Sequence, residues 1–425
     1  MSTNKTVHVI GGGTVSHIRT HLALVPPELG AFATGETARR IAALCREHDK
    51  TMDVVLTLTA MADPQSTIKT NEDMRGLAKT LVEDPRTKIV FFNPAICDFE
   101  GEIEDVPSGK YAERLRTSDD DGKDREYVVR LRPAPKIIRL FRRGEEGWTP
   151  RKDIFLVGFK ATAGATEEEQ YRQGLRALKT SSANLILAND VVTRVNMVIV
   201  PEEATYHVTK DREVALRGLV EMAYLRSHLT FTRSTVIDGQ PVPWESDLVP
   251  KSLRTVIDFC IERGAYKQFL GVTAGHFAVK LDDTTFLTSR RRTDYNEMKK
   301  VGLVKVKTDG PDSVIAYGSK PSVGGQSQRI VFREHPDADC IVHFHCPRKV
   351  GSPVPVVSQR EFECGSHQCG ANTSQGLRKF GNLLAVYLDQ HGPNIVFPRS
   401  IDPKEVIDFI EANFALSEKT GGYAL

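Results

Sequence analysis

The nine residues Asp339-Cys340-Ile341-Val342-His343-Phe344-His345-Cys346-Pro347 carry the reading on which the second half of the chain turns. An apolar run with the look of a buried strand ends in two histidines at i and i+2. Side chains two apart on a strand point to one face, with Cα atoms roughly 6–7 Å apart. Both imidazoles can then converge on one ion at about 2.0–2.1 Å. A second strand-like run, Leu383-Leu384-Ala385-Val386-Tyr387-Leu388, is followed by Asp389, Gln390, His391 and Gly392, where His391 supplies a third imidazole. The same spacing also fits two ordinary polar residues at a strand end.

Around that stretch, Leu253, Val256, Ile257, Cys260 and Ile261 make a helical stripe. Residues 277–281 and 303–307 alternate with period two. Helices fit residues 326–334 and 402–414, the latter with Val406, Phe409, Ile410 and Phe414 inward. Alternating strands predict a mainly antiparallel sheet with one face covered by helices. Residues 230–250 hold Gly239, Pro241, Pro243 and Pro250 with little periodicity and read as a connector. The expected division is a first domain over 1–232, a linker over 233–250 and a second domain over 251–425.

The first half has a different rhythm. The run Val7-His8-Val9-Ile10 enters the turn Gly11-Gly12-Gly13-Thr14, where side-chain-free residues allow close backbone approach to a phosphate or sugar. This is not a G-x-G-x-x-G fingerprint, and glycine turns after a first strand are common. Apolar strands recur at 53–58, 88–92, 153–157, 184–187 and 197–200. Between them lie helical segments, including the Ala38, Ile41, Ala42, Cys45 face and residues 167–178 and 211–224. Continuous apolar strands alternating with helices predict a Rossmann-like, mostly parallel sheet with helices on both faces. Ligands of such sheets sit at the carboxyl ends of the strands.

Two resemblances follow. The segments Val157-Gly158-Phe159-Lys160-Ala161-Thr162, Ala183-Asn184-Leu185-Ile186-Leu187-Ala188-Asn189-Asp190-Val191 and Pro94-Ala95-Ile96-Cys97-Asp98-Phe99 resemble the phosphopantothenoylcysteine synthetase family over most of residues 5–230. That resemblance implies binding of CTP or ATP and carboxylate–amine ligation. It implies nucleotide contacts at Gly11, Gly12, Gly13, Asp98, Phe159 and Asn189, and a triphosphate-neutralising basic residue such as Lys110. The family's Asn-x-Ser-Ser-Gly segment has no counterpart; residues 19–30 stand there instead.

The second half resembles the class II aldolase/adducin family over about residues 251–415. The matching pieces are Gly275-His276-Phe277-Ala278-Val279, Phe286-Leu287-Thr288-Ser289, Glu334-His335-Pro336-Asp337-Ala338-Asp339, the His343-x-His345 strand and His391-Gly392. The resemblance implies a divalent metal, usually zinc, on His343, His345 and His391, and cleavage next to a carbonyl or epimerisation. The family's Ser-Ser-Glu base falls by ungapped count at Gly324, near Gln326. Replacement catalytic groups are sought in Glu363, Glu361 and His276, and in Tyr423 of the Gly421-Gly422-Tyr423 tail. Cys364, His367 and Cys369 offer either a structured active-site loop or a separate zinc site. Both resemblances imply a homo-oligomer, dimer or tetramer.

Composition narrows the partners. The 425 residues exceed one ordinary core. With 57 Lys+Arg against 55 Asp+Glu the formal charge is only +2, so no global field recruits nucleic acid or a membrane surface. A small-molecule substrate is the expectation. The first residues lack the apolar core of a secretion signal, and seven scattered cysteines suit reduced thiols in a cytoplasm.

Overall fold

The computed structural model describes residues 5–26, 33–104, 106, 109, 113–145, 147–202, 206–322, 325–418, 420 and 423–424; the side chains of 325–327 and 423–424 are outside the description. The chain divides into two compact units. The first comprises residues 1–199 and 208–227 with residue 425, the second residues 200–207 and 228–424.

In the first unit, β1 (Thr6–Gly11), α1 (Glu36–His48), β2 (Asp53–Leu58), α2 (Asn71–Glu83) and β3 (Thr87–Phe92) are followed by β4 (Phe155–Thr162), α3 (Glu167–Ser181), β5 (Leu185–Asp190), β6 (Asn196–Ile199) and α4 (Arg212–Ser227). The strands run β6-β5-β4-β3-β1-β2 across the sheet. Every pairing in that path is parallel except β5 with β6. From β1 the chain steps to β2 through α1, then back past β1 to β3 through α2. Right-handed crossovers in opposite directions put α1 and α2 on opposite faces, and α4 packs beside α1. Burial on both faces is why Val7, Val9 and Ile10 are all inaccessible and the strands read as unbroken apolar runs. The predicted stripe Ala38, Ile41, Ala42 and Cys45 is wholly buried. Helices α2 and α3 start at Thr70 and Thr166, each closing a capping box with the acidic residue three positions on.

The carboxyl end of β5 is fastened by Asp190. Its carboxylate accepts from the Thr162 hydroxyl (2.9 Å) and from the amides of Gly164 (3.0 Å), Ala165 (2.9 Å), Val192 (3.0 Å) and Thr193 (2.8 Å). Burial alone would raise this carboxyl's pKa, but the converging donors outweigh it and hold the group below the usual range. The side chain is 2 % exposed.

The second unit contains β7 (Arg233–Ile237), α5 (Lys251–Glu262), β8 (His276–Lys280), β9 (Thr285–Thr288), β10 (Val304–Thr308), β11 (Ser313–Tyr317), α6 (Gly325–Glu334), β12 (Cys340–His343), α7 (His367–Gly376), β13 (Leu383–Leu388), β14 (Gly392–Phe397) and α8 (Pro403–Asn413). The sheet runs β7-β11-β10-β9-β8-β12-β14-β13. It is antiparallel from β11 to β13, with β7 parallel to β11 at the edge. Thus part of the stretch read as a linker is strand β7, an exposed edge strand whose hydrogen bonds rather than buried side chains hold it in place.

Both faces of this sheet are covered, not one. Phe277, Val279, Val342, Ile395 and Phe397 pack with Val256 and Ile257 of α5 and Val406 and Ile410 of α8. On the other face, Ala278, Ile341, Val386 and Val396 meet Val331 and Phe332 of α6, Cys369 of α7 and Leu377 just past its end. The second layer was hidden because α6 and α7 are short and carry few apolar residues. Among the described residues no helix is long and apolar enough to cross a membrane.

Candidate metal centre

Alternation along β12 sends Val342 to the α5/α8 core and His343, like Ile341, to the α6/α7 side. Strand β12 ends at His343, so His345 lies two residues along in the extended chain that follows. His391 ends the turn joining β13 to β14. Pairing of β12 with β14 opposes His343 and Asn394, which brings that turn beside the strand end. The result is a three-histidine group whose ligand nitrogens lie within 4.8 Å of one another, all three residues buried. Among the described residues this is the group with metal-holding geometry, and it contains no carboxylate.

The ring orientations suit an ion. His343 Nδ1–H donates to the Pro393 carbonyl at 2.7 Å, which leaves the Nε2 lone pair facing inward. That Nε2 stands 3.1 Å from His391 Nε2. Two nitrogens bound to one tetrahedral ion at about 2.0–2.1 Å stand about 3.3 Å apart. Ring centroids are 5.0 Å apart for His343 and His345 and 4.4 Å for His345 and His391. Burial first, then the neighbouring histidines, pushes the pKa of His343 well below its ordinary value, so the ring is a neutral donor at physiological pH.

His276 sits opposite His343 in the β8–β12 pairing, with ring centroids 4.7 Å apart. Its Nδ1 is hydrogen-bonded to the Gln328 side-chain amide from α6. Burial, followed by His345, brings its pKa down to about 3. Gln328 was missed in the sequence. Its signal was its place three and four residues before the buried Val331 and Phe332, a polar residue on the inward helix face. The expected base position Gly324 lies outside the described residues, as does the side chain of Gln326.

Backbone geometry explains why glycine follows His391. Gly392 has φ +155°, and a Cβ there would stand 2.1 Å from the Phe344 carbonyl oxygen. The turn therefore backs directly onto the His343–His345 segment. Thr420 ties both arms, its amide donating to the His345 carbonyl (3.4 Å) and its hydroxyl to that of His391 (3.2 Å). Gly392→Ala is expected to cost about 2–4 kcal/mol through strain and displacement. Thermal denaturation checks this, and an unchanged midpoint would contradict the packing described.

The other expected residues are placed differently. Glu361 accepts from the Ser358 hydroxyl at 2.5 Å, and Glu363 precedes the Ser366 cap of α7, its carbonyl accepting from the Ser366 amide at 3.0 Å. Neither enters the histidine group. His367 bonds the Thr232 hydroxyl at 2.7 Å, and Cys364, His367 and Cys369 do not assemble a ligand set among the described residues. The Tyr295 hydroxyl lies 2.9 Å from the Gly275 carbonyl and 3.2 Å from Ser289 Oγ, linking two segments expected near the site. Tyr423 belongs to a short strand, with its side chain outside the description.

In the first unit the glycine turn is filled by the protein itself. A Cβ on Gly11 would stand 2.3 Å from Ala38 Cβ, and one on Gly12, at φ +97°, 2.2 Å from Thr59 Oγ1. Close packing against α1 and the loop after β2 accounts for both. The Gly13 carbon faces Met61 in the same way. Asp98 pairs with Lys136 on the surface. Phe159 is half-buried in β4, and Asn189 is buried at the end of β5, its side-chain oxygen without a hydrogen-bond partner among the described residues. Lys110 lies outside the described residues.

The second unit is thus an α/β fold whose mainly antiparallel sheet bears a buried three-histidine group, and the first an α/β fold built on a mostly parallel sheet. Residues 256–351 match the family model described as Class II Aldolase and Adducin N-terminal domain, a span that takes in His276, His343 and His345. No curated protein matches the chain. Among solved structures, the DNA/pantothenate metabolism flavoprotein from Streptococcus pneumoniae is 18% identical, with a TM-score of 0.39, covering 51% of this chain and 97% of its own. The C-terminal domain of the coenzyme A biosynthesis bifunctional protein CoaBC is 16% identical, with a TM-score of 0.33, over 51% of this chain and 90% of that one. An L-fuculose 1-phosphate aldolase is 17% identical, with a TM-score of 0.29, over 38% of this chain and 82% of that one. The match to the Class II Aldolase and Adducin N-terminal domain lies within the second unit.

Proposed function

We propose that the chain is a bifunctional metabolic enzyme in which a nucleotide-dependent, ligase-like first unit is joined to a divalent-metal-dependent lyase second unit of aldolase or epimerase type. The substrate is a small phosphorylated or carboxylated molecule. The observation that carries this reading is the buried group His343, His345 and His391 with inward-facing nitrogens. His343, His345 and His391 would hold the ion, zinc by their all-nitrogen donor set. A bound divalent ion supplies a Lewis acid for negative charge developing on oxygens beside a breaking bond.

The chain's own residues do the rest. Pro393 fixes the tautomer of His343, and Gln328 fixes the orientation of His276 as a neutral ring beside it. Proton transfer is assigned first to His276, whose ring lies beside His343; Glu361 and Glu363, which stand outside the histidine group, and Tyr423, whose side chain lies outside the described residues, are the alternatives. In the first unit, CTP or ATP would lie at the carboxyl ends of the strands, contacted by Gly11, Gly12, Gly13, Asp98, Lys110, Phe159 and Asn189. The buried, unpartnered oxygen of Asn189 supports a polar ligand there. A cytoplasmic homo-oligomer accords with this reading.

Retro-aldol and epimerase assays over a panel of sugar phosphates test it. Turnover that disappears with a chelator and returns with added Zn²⁺ is the expected result. One observation favours a second reading, a catalytically degenerate aldolase-like scaffold controlled by a nucleotide-sensing domain: no carboxylate joins the histidine group among the described residues. Metal binding without turnover on any substrate would overturn the enzyme reading in favour of the scaffold.

A further inference from the structure

The turn before α7 brings two thiols together on the α6/α7 side of the second sheet. Cys364 is half-buried and Cys369 is 2 % exposed. The Cys364 thiol hydrogen-bonds to Cys369, and so does the Gly365 amide. A third donor, Gln359 Nε2, lies 3.3 Å from Cys369 Sγ. Cys369 occupies the first turn of the ten-residue helix α7, whose cap Ser366 accepts from the Cys369 amide at 3.0 Å. Three donors and the positive end of a helix thus surround one sulfur.

Four other buried cysteines differ. Burial pushes the thiols of Cys45 and Cys346 up to about 12 and also raises those of Cys260 and Cys340. Cys369 is as deeply buried, yet its pKa is lowered. The hydrogen bond from Cys364 is the largest cause; burial and the Glu202 carboxylate oppose it. The same carboxylate accepts the Cys364 amide at 2.8 Å, which fixes the Cys364 backbone.

We propose that Cys364 and Cys369 are a reactive dithiol that closes reversibly to an intramolecular disulfide, Cys364 meeting a low-molecular-weight disulfide and Cys369 resolving the adduct. With oxidised glutathione as oxidant, Cys364 passes its proton to the Cys369 thiolate, attacks one glutathione sulfur and expels the other half as a thiolate, which takes that proton back from Cys369. The Cys369 thiolate then attacks the Cys364 sulfur and expels the second glutathione thiolate. The protein gives up two electrons and two protons, and one glutathione disulfide becomes two glutathione thiols. Exposure sets the order, because the small disulfide reaches Cys364 first while Cys369 has only its neighbour to attack.

The test treats the full-length protein with oxidised glutathione, blocks residual thiols with N-ethylmaleimide, and maps the tryptic peptide 361–378 by mass spectrometry. That peptide holds both cysteines and no internal Lys or Arg. The expected product lacks two hydrogens, resists N-ethylmaleimide and regains both thiols with dithiothreitol. Cys369→Ser should stop at the Cys364–glutathione adduct, and Cys364→Ser should leave Cys369 unmodified. A wild-type protein that stops at a glutathione adduct, stays reduced, or forms its bridge elsewhere overturns the proposal. The wild-type mapping decides the matter even where a variant fails to fold.

Discussion

His343→Ala is expected to empty the metal centre, taking the purified protein from about one divalent ion per chain to none detectable by elemental analysis. A structural or catalytic zinc needs at least three protein donors, and this group has three. The variant deletes the nitrogen whose orientation is set by the Pro393 carbonyl and which directly faces His391. Disturbing an outer partner of a metal ligand costs about 10–100-fold in affinity; deleting a ligand costs more. A second readout separates loss of metal from general damage. An ion present at about 100 times its dissociation constant stabilises the fold by about 2.7 kcal/mol, so a chelator should lower the melting temperature of the wild type and leave that of His343→Ala unmoved. Metal content unchanged by the substitution would sink the assignment.

Asp190→Ala is expected to destabilise the first unit by about 3–5 kcal/mol, because buried donors left without an acceptor cost about 1–3 kcal/mol each before relaxation. Five donors converge on the carboxylate, four of them backbone amides that cannot turn away. Such a loss is a large share of the 5–15 kcal/mol that holds an ordinary domain together. Asp190→Asn should be milder, since one oxygen remains to accept. The pH dependence has a definite sign. The folded pKa lies below the ordinary aspartate value of 3.8, so the stabilisation is fully present above that value and is lost as pH falls below it toward the folded pKa. Urea midpoints taken through the acid range check this: the slope near pH 3 to 4 should flatten in Asp190→Asn. An Asp190→Ala protein as stable as wild type would contradict the network.

The sequence made some parts legible because they rest on local periodicity. Val7, Val9 and Ile10 could read as a strand buried on both faces, and Ala38, Ile41, Ala42 and Cys45 as one helix face, from spacing alone. The pair His343 and His345 was visible for the same reason. His391 was visible as a candidate at the end of a second strand-like run, but its approach to the pair depends on the pairing of β12 with β14, which spacing does not show. Other features are contacts between segments far apart in the chain, which no local pattern encodes. Gln328 reaches His276 across 52 positions, and Gly12 needs its missing side chain because Thr59 lies against it. Asp190 looked like the end of a family motif, while its actual work is to gather amides from the turns after β4 and β5. The Cys364–Cys369 pair was seen as ligands or loop because thiol-to-thiol contact cannot be read from a five-residue separation.

The split origin of the three histidines also fixes when the centre can come into being. His343 and His345 come from one arm and His391 from another, 48 positions beyond His343, and the arms meet only once β14 has paired with β12. Closing such a loop precedes any reward from the contacts it makes, which places this step late in folding. A short zinc finger gathers its ligands around the ion and folds as it binds. An ion held by these three histidines would instead arrive at a finished sheet, so zinc added during refolding should slow unfolding of the second unit while leaving its folding rate unchanged.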